Sequence, residues 1–233
     1  MILPMCGRFT LKASPQEIAQ LMPGLKADRW QAPRYNIAPS QQVATVLNDG
    51  NMEVVLTRWG LIPSWAKDPE IGNRTINARA ETLLEKPSFR TPFQRQRCLI
   101  LADGFYEWKH VPGQTKRVPF YFRLKSGKPF AFAGLWDRWK DPNGNLIITS
   151  AIITTRPNRV VSAVHHRMPA ILLPEHYQIW LSETTPPIEI LKSCLEPYPE
   201  DQMECYRVST AVNNPAVDSP RCIEPDLAPG RGD

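Results

Sequence analysis

Apolar and polar positions fall into many short stretches along this chain, and strand-like stretches outnumber helical ones. Residues 42–47 and 52–59 read as two strands joined through Asn48-Asp49-Gly50-Asn51, a sequence suited to a tight turn. Residues 98–102 form an apolar run of strand length, while 105–110 and 118–124 alternate as a hairpin would. Residues 130–136 and 146–154 add two strands turned by Asp141-Pro142-Asn143-Gly144, and 170–173 and 205–208 add two more. The clearest helix start is Ser14-Pro15-Gln16-Glu17. Ser14 can cap, Pro15 suits the first helical position, and Glu17 completes a capping box, with the helix expected to end near Gly24. Residues 78–85, 158–164, 174–181 and 188–195 also read as helical, and 30–40 and 60–75 as irregular. Closely spaced strands leave room for few βαβ crossovers. The expectation is a single α+β domain: a mainly antiparallel bent sheet or open β-barrel with short flanking helices.

Composition narrows this only slightly. The chain has 233 residues, enough for one sizeable core, and its 42% hydrophobic and 22% charged residues are ordinary for a globular protein. Its 24 prolines, about twice the usual share, force short helices and many loops. The net charge of +5 permits a polyanionic partner without identifying one. Cys6, Cys98, Cys194, Cys205 and Cys222 form no CxxC pair and no zinc-type spacing. An odd cysteine count without a secretory signal points to reduced thiols in a cytoplasm. No apolar run approaches the ~18 residues of a membrane span. No metal or cofactor is implied, and a monomer is assumed. The Pro-rich, polar segment 215–233 is expected to be a disordered tail.

Four short segments carry unusual chemistry: Cys6-Gly7-Arg8-Phe9, Ile76-Asn77-Ala78-Arg79-Ala80-Glu81-Thr82, Asp103-Gly104-Phe105-Tyr106-Glu107-Trp108-Lys109, and His165-His166-Arg167-Met168-Pro169. Arg34-Tyr35-Asn36-Ile37-Ala38-Pro39, Trp59-Gly60-Leu61-Ile62-Pro63 and Val212-Asn213-Asn214 accompany them. Together, and in this order, they resemble the SOS-response-associated peptidase family over nearly the whole chain. No single motif decides the resemblance; the ordered set does. It implies a 6–214 domain that senses abasic sites in single-stranded DNA, including at replication forks. It also implies a covalent DNA–protein crosslink through the cysteine that follows the initiator Met, with lyase and autopeptidase activity as further expectations.

A lone cysteine is ordinarily a small buried hydrophobe. Cys6, however, directly follows Met5. As the first residue of a chain it would carry an α-amine and a thiol on adjacent carbons. The amine can attack an aldehyde to give an imine, as lysine amines do. The thiol can then close a five-membered thiazolidine. With a reference pKa of about 7.7–8.0, such an amine is partly neutral at pH 7. The ring-opened sugar of an abasic site supplies the aldehyde. Residues 1–5 are therefore expected to be absent from the mature protein, either because Met5 is the true start or because the leader is cleaved.

The resemblance assigns catalytic positions to Asn77, Glu107 and His165 beside Cys6. Glu107 is either an exposed strand glutamate or, desolvated by its aromatic neighbours, a general acid. His165 is either structural or a proton shuttle for sugar opening and β-elimination. Asn77 is either a helix N-cap or a hydrogen-bonding orienter. Arg8, Arg79 and Arg167 are candidate phosphate ligands, or else surface and ion-pair residues. Trp65 is either a core residue or a stacking wedge, with Lys67 following the backbone. Two other readings stay open. A thiol peptidase would use Cys6, His165 and Asn77. A noncovalent reader of modified or damaged single-stranded DNA would bind without Cys6.

Overall fold

The structure, a computed structural model, describes residues 6–226 apart from 31, 32 and 114. Among the described residues there are twelve strands: β1 (Phe9–Leu11), β2 (Arg34–Ile37), β3 (Gln42–Leu47), β4 (Val54–Trp59), β5 (Asn77–Arg79), β6 (Arg97–Ala102), β7 (Gly104–Lys109), β8 (Val118–Leu124), β9 (Phe130–Lys140), β10 (Leu146–Thr155), β11 (Met168–Pro169) and β12 (Met203–Arg207). The α-helices are short: α1 (Pro15–Ala19), α2 (Pro87–Arg95), α3 (Arg159–Ser162), α4 (Tyr177–Trp180) and α5 (Ile188–Ser193).

The strands form two sheets. One has the order β12-β8-β7-β1-β2 and is antiparallel throughout. The other runs β10-β4-β3-β6-β9, and β9 pairs back onto β10 from Gly134↔Ile152 to Lys140↔Leu146. The expected α+β, mainly antiparallel architecture is what the chain adopts. The barrel is closed rather than open, because the long strands β9 and β10 complete the ring and leave it no free edge. β4 and β5 both lie parallel to β10.

A shared aromatic core holds the sheets face to face. Phe9 on β1 meets Trp59 on β4 at 5.1 Å and Phe132 on β9 at 5.7 Å, both edge-on. Phe105 on β7 stacks on Phe122 of β8 at 4.9 Å and touches Phe132 at 6.2 Å. A Cβ on Gly104 would lie 2.1 Å from the Tyr121 hydroxyl oxygen, so the start of β7 admits glycine alone. That close approach lets the Tyr121 hydroxyl reach Thr10 Oγ1 at 2.9 Å.

Arg97, fully buried, joins α2 to the segment after α4. Its guanidinium donates to the carbonyls of Phe93, Gln94, Trp180, Ser182 and Thr184, and burial lowers its pKa to about 10. Arg97→Met strips these buried acceptors of their donor and is expected to destabilise the fold by about 3 kcal/mol or more. Urea denaturation measures it, and a midpoint within error of the parent would contradict this account.

Several elements differ from the sequence expectation. The capping box at Ser14 and Glu17 is present, but α1 ends at Ala19. Residues 78–85, rich in good helix formers, instead supply β5 and a 3-10 turn, because pairing with Ile152–Thr154 of β10 outweighs local propensity. Asn77 is therefore a strand residue and caps no helix. α2 went unpredicted because Pro87 and Pro92 mask it; Pro87 sits in the first turn, and Pro92 removes one bond from a nine-residue helix. The strand expected at 170–173 is instead β11, with a lone bridge from Ile171 to Phe132.

Residues 215–226 are packed rather than disordered. Asp218 accepts from the Tyr35 and Asn36 amides and pairs with Arg34, and Cys222 is buried. Residues 227–233, like the leader 1–5, lie outside the described residues. No helix among the described residues is long and apolar enough to cross a membrane.

Candidate active site

The pairing of β1 with β7 brings the start of the described chain to Glu107. Phe9 faces Phe105, and the Tyr106 amide donates to the Arg8 carbonyl at 3.0 Å. Continuing that register sets Gly7 against Glu107 and Cys6 against Trp108. The Cys6 backbone nitrogen donates to Glu107 Oε1 at 2.9 Å, with both residues buried. Cys6 has φ 43°, in the left-handed region that costs a side-chain-bearing residue energy. The turn made there points its nitrogen at the carboxyl.

His165 arrives from another part of the fold. Asn158 caps α3 through the Val161 amide, and the His165 amide bonds the Val161 carbonyl at 2.8 Å. β11 then returns the chain to β10, so His165, His166 and Arg167 form a tight corner between them. His165 Nδ1 lies 3.2 Å from both the carbonyl oxygen and the amide nitrogen of Arg167; donating to the carbonyl leaves Nε2 as the unprotonated, basic nitrogen. His165 Nδ1 lies 3.9 Å from Glu107 Oε1. The His166 ring packs on the His165 ring at 4.4 Å.

The surroundings push the two acid–base groups apart. Burial raises Glu107 to about 8, against opposing hydrogen bonds from the Cys6 and Trp108 amides and the nearby Arg117 charge. Burial lowers His165, and His166, Arg117 and Arg167 lower it further, opposed by its bond to Arg167. At neutral pH the carboxyl is thus mostly protonated and the imidazole neutral. The 3.9 Å separation exceeds a hydrogen bond and, with both groups neutral, is no ion pair. A neutral acid beside a neutral base is the division of labour that proton-transfer chemistry requires. The Cys6 thiol is pushed well up, first by burial and then by Glu107.

The other expected residues are distributed around this centre. Asn77 and Arg79 lie on β5, beside Ile152 and Thr154 of β10, and Arg79 is exposed. Arg167 makes a two-pronged pair with Glu81 at 2.6 and 2.9 Å and donates to the Thr154 carbonyl at 2.6 Å. That pairing holds the Glu81 carboxyl below the usual range. Arg8 is turned inward: its Nη1 donates to Asn36 Oδ1 and to the Val212 carbonyl, and its guanidinium lies 6.0 Å from the Trp108 ring. Trp108 in turn bonds Asn213. The motifs at 34–39 and 212–214 therefore meet at Arg8, a connection that no spacing along the chain announces. Trp65 is not a core residue. It is 61% exposed, on a loop pinned at either side by Ser64 amide to Asp137 and Trp139 indole to the Ala66 carbonyl. Lys67 is exposed two residues on.

The family model described as SOS response associated peptidase (SRAP) matches residues 5–215. The chain is 48% identical over 226 residues to the abasic site processing protein YoqW of Bacillus subtilis, covering 94% of this chain and 99% of that one. It is 32% identical to the abasic site processing protein HMCES of Mus musculus, over 83% of this chain and 65% of that one. Among solved structures, a protein from Bacteroides thetaiotaomicron superposes with a TM-score of 0.85 at 30% identity, covering 95% of this chain and all of that one. With the match running from the site cysteine through every motif described above, the chain belongs to the SOS response associated peptidase (SRAP) family.

Proposed function

We propose that this protein captures abasic sites in single-stranded DNA, joining the lesion to the amine and thiol of Cys6 as a thiazolidine. The observation that carries the reading is the 2.9 Å bond between the Cys6 nitrogen and Glu107 Oε1. When Cys6 is the first residue, that nitrogen is an amine with a reference pKa of about 7.7–8.0, close to the value of about 8 at which burial holds Glu107. One proton can then pass between them at little cost. The amine adds to the lesion aldehyde, Glu107 protonates the departing hydroxyl, and water leaves to give the imine. The thiol adds to the imine carbon, its proton moves to the nitrogen, and the ring closes with the net loss of one water.

With Nδ1 donating to the Arg167 carbonyl, neutral His165 can accept a proton at Nε2 from the sugar hydroxyl during ring opening. The same base can draw the proton that starts β-elimination, which gives the protein a lyase activity alongside capture. Exposed Arg79 holds a backbone phosphate, Trp65 stacks on a base, and Lys67 follows the strand. The captured lesion is thereby shielded at single-stranded regions such as replication forks during the DNA damage response.

A thiol peptidase is supported less well. Its nucleophile works as a thiolate with a lowered pKa, whereas Cys6 is pushed the other way.

Intact mass tests the proposal. Purified protein incubated with a single-stranded oligonucleotide carrying one abasic site should become a chain starting at Cys6 plus the oligonucleotide, less one water. A chain that keeps residues 1–5 and forms no adduct would sink it. For Arg79→Ala, noncovalent affinity should fall and the salt dependence should flatten by about 0.7 in log–log slope, the value for one single-strand phosphate contact. An unchanged slope removes Arg79 from the phosphate site.

A further inference from the structure

Arg117 stands at the mouth of the β7–β8 hairpin, one residue before Val118, the partner of Lys109. Glu107 pairs with Phe120, so Arg117 begins three positions from it along the hairpin, about 10 Å at strand spacing. Its long side chain is half-buried, and its charge acts on both Glu107 and His165, which lie 3.9 Å apart. Among the described residues its guanidinium makes no hydrogen bond and no close ion pair, and the carboxyl its charge reaches, Glu107, is mostly protonated at neutral pH. The contrast with its neighbours is informative: Arg167 is committed to Glu81, and Arg8 to Asn36 and Val212. A half-buried guanidinium without an anion, bordering a site for a polyanion, lacks a partner that a phosphate would supply. Exposed Lys109 and Lys116 extend the positive charge over the hairpin tip.

Resting on the abasic-site reading above, we propose that Arg117 is a phosphate-binding residue for the lesion strand and, through its charge, a positioning residue for the Glu107–His165 pair. DNA enters between the hairpin and the His165 corner, and the phosphate beside the lesion neutralises Arg117. The groups facing the pair are the Cys6 nitrogen and Arg117 on Glu107, and His166, Arg117 and Arg167 on His165. A cation in this place favours carboxylate and disfavours imidazolium. Its removal therefore raises both titrations and moves the pH–rate profile of capture upward.

The test compares the parent protein with Arg117→Gln and Arg117→Lys. Binding is measured against salt on a single-stranded oligonucleotide bearing tetrahydrofuran, which has no aldehyde. Capture rate is measured against pH on the true abasic oligonucleotide at subsaturating DNA, where it reports the titrations of the free protein. For Arg117→Gln the log–log salt slope should fall by about 0.7, and the pH profile should shift upward by about half a unit or more. Arg117→Lys should restore both. A Gln variant that melts with the parent and leaves either readout unmoved overturns the proposal. If the parent itself forms no adduct, the capture reading fails, and the salt slope still judges Arg117.

Discussion

Cys6→Ala should abolish the denaturation-resistant adduct, with a loss of at least about a hundredfold, while binding to single-stranded DNA stays near the parent level. An alanine at the start of the chain still offers an α-amine, so the imine can form. Without a thiol on the adjacent carbon nothing closes on it, and the imine hydrolyses. Borohydride added during the reaction should therefore trap the Cys6→Ala protein on abasic DNA, although denaturing gels without borohydride show no complex. This pattern separates the three readings. A thiol peptidase would lose activity without any trappable imine. A noncovalent reader would form no adduct in either protein. A stable adduct that survives Cys6→Ala would move the chemistry to another residue.

Glu107→Gln should slow capture by about a hundredfold, the usual scale for loss of a positioned acid, and should stabilise the fold. The sign follows from burial. Glu107 titrates at about 8 in the folded chain against an ordinary 4.5, so the folded state holds the proton more tightly. The carboxyl carries no penalty below about pH 4.5, costs stability progressively as the pH rises, and reaches its full cost above about pH 8. Gln keeps an oxygen that can accept from the Cys6 nitrogen and removes the ionisation. At pH 7 the gain reaches up to about 3 kcal/mol, read as a higher melting temperature that converges with the parent near pH 4. The parent's capture rate should fall as pH rises through about 8, and the variant should lack that limb. A Glu107→Gln protein that captures at the parent rate would remove Glu107 from the chemistry, whatever its melting temperature.

Both expectations begin in short motifs, and much of the proposed chemistry is legible there. Cys6 after Met5 is what suggests the proposed aminothiol, and Glu107 between Tyr106 and Trp108 reads as a desolvated carboxyl, which the structure buries. The hairpins around Asn48–Asn51 and Asp141–Gly144 follow from turn residues, and the capping box at Ser14 and Glu17 appears as written. These features are local: each depends on residues a few positions apart, whose preferences act before the chain folds.

Other features depend on contacts far apart in sequence. β5 arises where good helix formers lie against β10, and the barrel closes because β9 and β10 outrun the strands between them. Residues 215–226 looked like a tail because their composition is poor in core residues. They are held by polar bonds from Asp218 to β2 and by one buried cysteine, which composition cannot register. Trp65 could be placed outside the core only once Asp137 and Trp139 were seen to pin the loop on either side of it.

By itself, then, the sequence determined the strand-rich, mainly antiparallel architecture and singled out the candidate reactive groups, since residue chemistry and short-range periodicity are written in the chain. Only the tertiary structure decided which of those groups meet and in what ionisation state. The Cys6–Glu107 bond spans 101 residues, and the pairing of Glu107 with His165 joins β7 to the corner after α3. Desolvation, which raises one and lowers the other, exists only after both sheets have closed over them.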